Sequence, residues 1–308
     1  MMSAKIMSPS LHADEQPGAA GAISRLRAIG FLLVCLSPFL IAWRLMQMVS
    51  ALALGNDTYT HIPLIPLVSL FLIYTNRKTV FSQTDLPWKP GGALITVGLL
   101  AITSARLNVF QLQNANQLSL AVSGVVLVWI GAFGLFFGFP AFRAARFALC
   151  FLFFMIPIPE PILAKTIYAL QVGSAQSAAA LFSLFGIPYL QNGLVFSLPG
   201  IAIRVAEECS GIRSTLALLI MTVLASHMFL KATWKQLLVC LLAVPLSVAK
   251  NGLRIATLSA LAVYVDPGFL YGRLHQSGGM FFFAAAFVPL ALIFVWLRKI
   301  GSGNSGAV

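Results

Sequence analysis

The chain is a succession of long apolar runs separated by short polar or basic breaks. An α-helix needs about 20 apolar residues to cross a bilayer's hydrocarbon, and several runs approach that length. The pattern predicts eight spans, at about 29–49, 62–75, 91–107, 118–140, 147–159, 211–229, 236–256 and 276–297. The second is short and broken by Pro63 and Pro66. Residues 1–28 read as a polar cytoplasmic tail, 29–299 as a single transmembrane domain, and 300–308 as a short cytoplasmic tail. The predicted fold class is therefore an all-α polytopic membrane protein. Segment 186–206 stands apart: apolar and polar residues alternate around Gly193, Pro199 and Gly200, which predicts a short hairpin outside the hydrocarbon. Residues 164–185 mix Gln171, Ser174, Gln176 and Ser177 with Leu181 and Phe182, and fit either an interfacial helix or a weak span.

Ala51-Leu52-Ala53 imitates a signal-peptide cleavage site. The run before it exceeds the roughly 7–15 apolar residues of a signal core, and its polar leader is long. It reads instead as an uncleaved first span.

Composition agrees: 59% of residues are hydrophobic and 9% charged, against about 25% charged in soluble proteins. Mean hydropathy is +0.91. The net charge of +12 would point to nucleic acid in a soluble chain. Here no aromatic-plus-basic motif accompanies it, so nucleic acid is set aside as a partner. The basic residues instead mark cytoplasmic loops and anionic lipid surfaces. Twelve of them fall on one side of the predicted topology: Lys5, Arg25, Arg27, Arg77, Lys78, Lys89, Arg143, Arg146, Lys231, Lys235, Arg298 and Lys299. That places both termini in the cytoplasm and the chain in the cell's inner membrane.

With that orientation the outer, periplasmic face collects His61, Glu160, Glu207, Glu208, Cys209, Arg213, Lys250, Asn251, Arg254, Asp266, Arg273 and His275. Of four cysteines, Cys35, Cys150 and Cys240 lie inside apolar runs and behave as small hydrophobes. No CxxC, GxSxG or HExxH occurs. Cys209 sits where a helix is predicted to begin, and the positive helix end stabilises a thiolate. Glu207 and Glu208 oppose that, so a nearby cation is needed; Arg254 and His275 are the candidates. Asn251 and Arg254 share a helix face at i, i+3. Ionisable groups at membrane depth are costly and point to function. Each also has a plainer role. Cys209 serves equally as an inert small residue, His275 as a helix cap, Arg254 and Lys250 as interfacial anchors, Glu207 and Glu208 as helix-start charges, and His61 as an interfacial polar residue. Glu207-Glu208 followed by Arg213 approaches the EExxxR of CAAX-type membrane proteases, but four residues intervene instead of three.

Ala206-Glu207-Glu208-Cys209-Ser210-Gly211-Ile212-Arg213-Ser214 resembles the cysteine motif of exosortases and the related archaeosortases. Pro245 through Asn251-Gly252-Leu253-Arg254-Ile255 resembles their arginine motif, and His275 with Gly278-Gly279 their histidine motif. Tyr59-Thr60-His61 with the following Ile62–Leu67, and Met155–Pro159, resemble an N-terminal and a middle signature. The resemblance implies a multi-pass membrane cysteine enzyme that cleaves the C-terminal sorting tail of exported proteins, as PEP-CTERM proteins carry, and passes the product to an acceptor. It implies Cys209 as nucleophile, Arg254 as oxyanion or thiolate stabiliser and His275 as acid/base, with Asn251, Ser210, Glu208 and His61 in support. No cofactor and no metal is implied. The expected partners are tails with a sorting motif, an apolar span and a basic end, together with membrane lipid. The competing expectation is a polytopic transporter, or a scaffold subunit of a polysaccharide-export system, whose outer polar cluster binds an anion.

Overall fold

The computed structural model describes residues 17–82, 88–270 and 279–300. Ten helices follow in these segments: α1 (Pro17–Ile41), α2 (Trp43–Gly55), α3 (Leu64–Thr75), α4 (Arg77–Val80), α5 (Lys89–Arg106), α6 (Asn114–Phe151), α7 (Glu160–Leu184), α8 (Ile212–Phe229), α9 (Thr233–Tyr264) and α10 (Gly279–Ile300). The chain is thus overwhelmingly helical, as an apolar sequence in lipid must be to satisfy its backbone. Four of these helical segments are long and apolar enough to cross a membrane, or five if the bent pair α1–α2 is one span. The architecture is an all-α polytopic membrane protein.

Three places compare with the expected boundaries. The run 29–49 is not one straight helix: α1 and α2 meet at 85°, one turn past Pro38. Proline removes a backbone donor, and the Ser37 hydroxyl donates to the freed Val34 carbonyl at 2.8 Å. The expected fourth span, 118–140, ends close to a kink: non-helical backbone at Gly138 (φ 85°, ψ 171°), two residues before Pro140, divides α6 into two helices, and Arg143 and Arg146 lie on the second. Only glycine adopts that conformation readily. Residues 164–184, expected as an interfacial helix or a weak span, are helical as part of α7, which begins at Glu160.

The chain forms two compact units. In the first, residues 1–48 and 65–156, α6 is the central helix, packed by α1, α4 and α5. Helices α5 and α6 meet backbone to backbone. A methyl group on Gly98 would lie 2.6 Å from the Gly124 carbonyl oxygen, and one on Gly91 would lie 2.5 Å from that of Gly131. Lipid tails give helices no hydrophobic reason to associate, so close van der Waals approach through small residues takes over. Buried polar groups add cross-links: Trp129 Nε1 donates to the Cys35 carbonyl at 3.0 Å, and Ser69 Oγ to that of Ala148 at 2.7 Å.

The second unit, residues 49–64 and 157–308, holds α7 to α10 and a small sheet. Three antiparallel strands, β1 (Leu190–Asn192), β2 (Val195–Leu198) and β3 (Ile201–Arg204), extend the predicted hairpin by one strand. Gly193 (φ 59°) and Gly200 (φ 79°) make the two turns. Phe196 of β2 packs on Phe182 of α7 and on Tyr189, fixing the sheet to the end of that helix. Helix α7 lies along α9 so closely that a methyl group on Gly252 would meet Ser177 at 2.4 Å. Lys235, expected in a basic loop, is a buried residue of α9 whose Nζ donates to the Leu297 carbonyl near the end of α10 at 2.8 Å. A cation at a helix C-terminus satisfies otherwise orphaned carbonyls.

The glycine contacts of α5 and α6 give a direct test. Gly98→Val should lower stability by about 1–3 kcal/mol through overpacking, while Gly92→Ala, with nothing near its added methyl, should be neutral or slightly stabilising. Thermal midpoints in detergent measure both. Equal midpoints for the two variants would contradict the close backbone approach.

Candidate active site

The site is built where the sheet ends and α8 begins, within the second unit. After β3 the chain passes through buried Val205, whose backbone carbonyl accepts from Gln171 Nε2 of α7 at 2.8 Å. Glu207–Cys209 then forms one 3-10 turn, closed by Cys209 N donating to the Ala206 carbonyl at 3.0 Å. Gly211 follows in the left-handed region at φ 77°, as the residue capping α8. Cys209 therefore precedes the first residue of α8 by three positions, set off by this glycine kink, and does not occupy the helix start itself.

Asn251 fixes that turn from α9. Its Nδ2 donates to the Cys209 carbonyl oxygen at 2.5 Å and to Ser174 Oγ of α7 at 3.0 Å. The side chain is 1% exposed. Both amide donors are used on α7 and the cysteine turn, while Oδ1 is buried with no hydrogen-bond partner among the described residues. The amide cannot be reversed, because the Cys209 carbonyl only accepts. The left-handed Gly211 lies against the same side chain: a methyl group there would come within 3.2 Å of Asn251 Cγ. One residue thus ties three segments together.

The Cys209 turn opens on a pocket of about 830 Å³. Cys209 and Arg254 both line it, as do His61, Glu207, Arg213 and Lys250. Cys209, Arg254 and His61 are half-buried, and Glu207 is exposed. The loop 56–61 forms one wall. Asp57 on this loop pairs with Arg213 at the first turn of α8. Tyr59 is buried there; burial, and then the Glu160 carboxylate, push its phenol above the usual tyrosine range. Phe282 and Phe283 of α10 contribute apolar wall.

Of the residues singled out by sequence, Cys209, Asn251, Arg254, Ser210 and His61 are gathered in or directly around this pocket. Ser210 is buried, and its Oγ accepts from the Ile212 backbone at 3.4 Å, so it belongs to the turn and not to the cavity wall. His275 and the Glu208 side chain lie outside the described residues. Among those described, no three His, Cys, Asp or Glu side chains gather so as to hold a metal ion.

Two assignments change. Lys250 is not an interfacial anchor: it is 6% exposed and donates to Ser214 Oγ at 2.5 Å. Ser174 and Gln171, read only as polar residues in an ambiguous segment, are the α7 groups that bond the site's frame. The mixture of small and polar residues in a helix beside apolar spans was the signal for them.

The description of the matching family is transmembrane exosortase, over residues 51–292, which includes the whole pocket. No curated protein and no solved structure matches the chain. Exosortase membership supports a membrane protease or transpeptidase in general. A match over most of the chain, on a multi-pass helical fold, places this protein in the transmembrane exosortase family.

Proposed function

We propose that this protein is a cysteine transpeptidase of the inner membrane that cleaves a C-terminal sorting tail, of the PEP-CTERM kind, and passes the shortened protein to an acceptor. The observation that carries the reading is that Cys209 and Arg254, from different helical segments, line one pocket. The Cys209 thiolate attacks the scissile carbonyl, forming a thioester as the peptide C–N bond breaks. The Arg254 guanidinium stabilises the negative charge that develops on the carbonyl oxygen. His275 gives a proton to the departing amine and takes one from the acceptor nucleophile that resolves the thioester. Asn251 positions the nucleophile's turn, and His61 supports from the loop 56–61 that lines the pocket. The reading includes eight crossings, both termini in the cytoplasm and the pocket on the periplasmic side. Residues 29–299 act as one catalytic membrane domain.

Three outcomes test this. Cys209→Ala should abolish tail cleavage while membrane expression persists, and the combined Cys35→Ala, Cys150→Ala, Cys240→Ala variant should stay active. Gel mobility of a co-expressed tail-bearing protein reads both; wild-type processing by Cys209→Ala would exclude covalent catalysis.

An impermeant thiol reagent added from the periplasmic side should label Cys209 and spare the other three cysteines. Labelling that requires access from the cytoplasm would reverse the topology.

Arg254→Lys should lose activity about 10²–10³-fold, as removal of an oxyanion donor does, since an ammonium does not reproduce the guanidinium fork. Cleavage rates at matched expression measure it. Near wild-type rates would make Arg254 an anchor.

A further inference from the structure

The small sheet leaves one edge unpaired beside the cysteine turn. Strand β2 is central, so β1 and β3 are the edges. In an antiparallel ladder, facing residues alternate between pairs that exchange hydrogen bonds and pairs that do not. The β2–β3 register sets Ser197 opposite Ala202 and Val195 opposite Arg204. One step further, Val205 N donates to the Leu194 carbonyl at 2.9 Å. That bond fixes the phase. Ile201, Ile203 and Val205 bond to β2, whereas Ala202 and Arg204 turn their N–H and C=O groups to the other side. Neither has a hydrogen-bond partner there among the described residues, and both residues are exposed. Ile201 and Ile203 pack against the cluster that holds Phe182, Phe196 and Ala256, so the edge is held in place on α7 and α9.

This edge runs into the nucleophile's turn. The backbone stays extended through Ala206 (φ −71°, ψ 167°). Cys209 N then donates back to the Ala206 carbonyl at 3.0 Å. A turn closed in this way keeps its end Cα atoms within about 7 Å. Glu207 and Cys209 line the pocket, so edge and pocket are continuous. An extended peptide advances about 3.3 Å per residue, so one laid beside Ala202–Arg204 reaches the thiol about two to four residues past its last paired position. Only one flank of the cut fits there. The tail's apolar span follows its sorting motif, so the C-terminal flank descends into lipid, where an open sheet edge does not occur. The flank before the cut stays outside the hydrocarbon, and it arrives at Cys209 running in the same direction as β3.

We propose that the free edge of β3 is a docking strand for the exported substrate: the segment just before the scissile bond adds to it as a parallel strand, through main-chain hydrogen bonds to Ala202 and Arg204. In recognition of this kind the affinity comes from the backbone, and side chains add selectivity. The inference rests on the reading of Cys209 as the nucleophile that cleaves a tail, and says where the peptide lies when it does.

The probe is a reporter protein fused to a C-terminal tail that the full-length wild-type protein cleaves in its own membrane. Each residue from roughly three to eight before the cut, the stretch that can reach the edge, is replaced singly by Pro and by Ala. Proline removes the backbone donor, and Ala keeps it. Positions whose N–H faces β3 should lose about fivefold to tenfold in kcat/KM on Pro, the effect of one hydrogen bond, and little on Ala. These positions should alternate with positions that tolerate Pro, as the outward side of an edge strand does. On the enzyme, Ala202→Pro removes a donor that β2 does not use, so the sheet should survive it. Gln191→Pro is the matching change on the β1 edge, since Gln191 opposes Phe196, whose backbone bonds to β3. Ala202→Pro should lower kcat/KM for the unaltered tail about tenfold and flatten the reporter's Pro-to-Ala pattern. Gln191→Pro should do neither.

A Pro scan that matches the Ala scan at every position would overturn the inference, as would a folded Ala202→Pro variant that keeps the wild-type pattern. So would an Ala202→Pro variant that cleaves normally but loses a dimer that wild type forms in detergent, which would assign the edge to a second copy of the chain. Where Ala202→Pro does not accumulate, the two scans on wild type decide alone. Tail cleavage by Cys209→Ala at the wild-type rate would instead sink the cysteine reading, and is scored separately from the Pro-to-Ala ratios.

Discussion

One carboxamide organises the site. Asn251 sends both of its donors across helix boundaries, to the backbone of Cys209 and to Ser174. A buried carbonyl left without its donor costs about 1–3 kcal/mol, so the turn carrying the thiol is held where Asn251 meets it. Because Asn251, Lys250 and Arg254 lie on one helix, fixing the cysteine turn against α9 also brings Cys209 and the two cations into the lining of one pocket. Gly211 completes the arrangement: its left-handed backbone lets the chain turn into α8 with no side chain pressing on the amide.

The membrane explains why polar contacts of this kind recur. In hydrocarbon, helices gain little from exchanging lipid for apolar side chains, so small residues and interhelical hydrogen bonds set the packing. The α5–α6 glycines, the Ser177–Gly252 approach and the Thr215–Ser247 hydroxyl pair at 2.7 Å are instances of one solution. The same economy makes Lys250 informative. A lysine placed at the surface would reach interfacial water, whereas this one is folded onto Ser214 inside the pocket wall.

Much of this was legible in the chain. The apolar runs predicted a helical membrane protein, and the alternation around Gly193 and Gly200 predicted strands where three are found. The cysteine and arginine motifs marked two residues that share a pocket. What the runs did not reveal was the exact place of each bend: the break expected near residue 140 falls at the Gly138 kink, ahead of Arg143 and Arg146. Lys250 was misread for a related reason: composition places lysine at interfaces on average, but its burial depends on which face of α9 meets the pocket. The roles of Ser174 and Gln171 depended on the partners of α7, which no local pattern encodes. His275 was named from its motif alone, and its geometry lies outside the described residues.

Asn251 holds the turn that carries Cys209. The most direct measurement is the steady-state cleavage of a cognate tail by Asn251→Ala, with the thermal midpoint of the same preparation. The predicted result is a fall in kcat of about tenfold or more, the kinetic equivalent of one lost buried hydrogen bond. KM for the tail should be nearly unchanged, and the protein should remain folded at the assay temperature. A folded Asn251→Ala variant with wild-type kcat would contradict the claim.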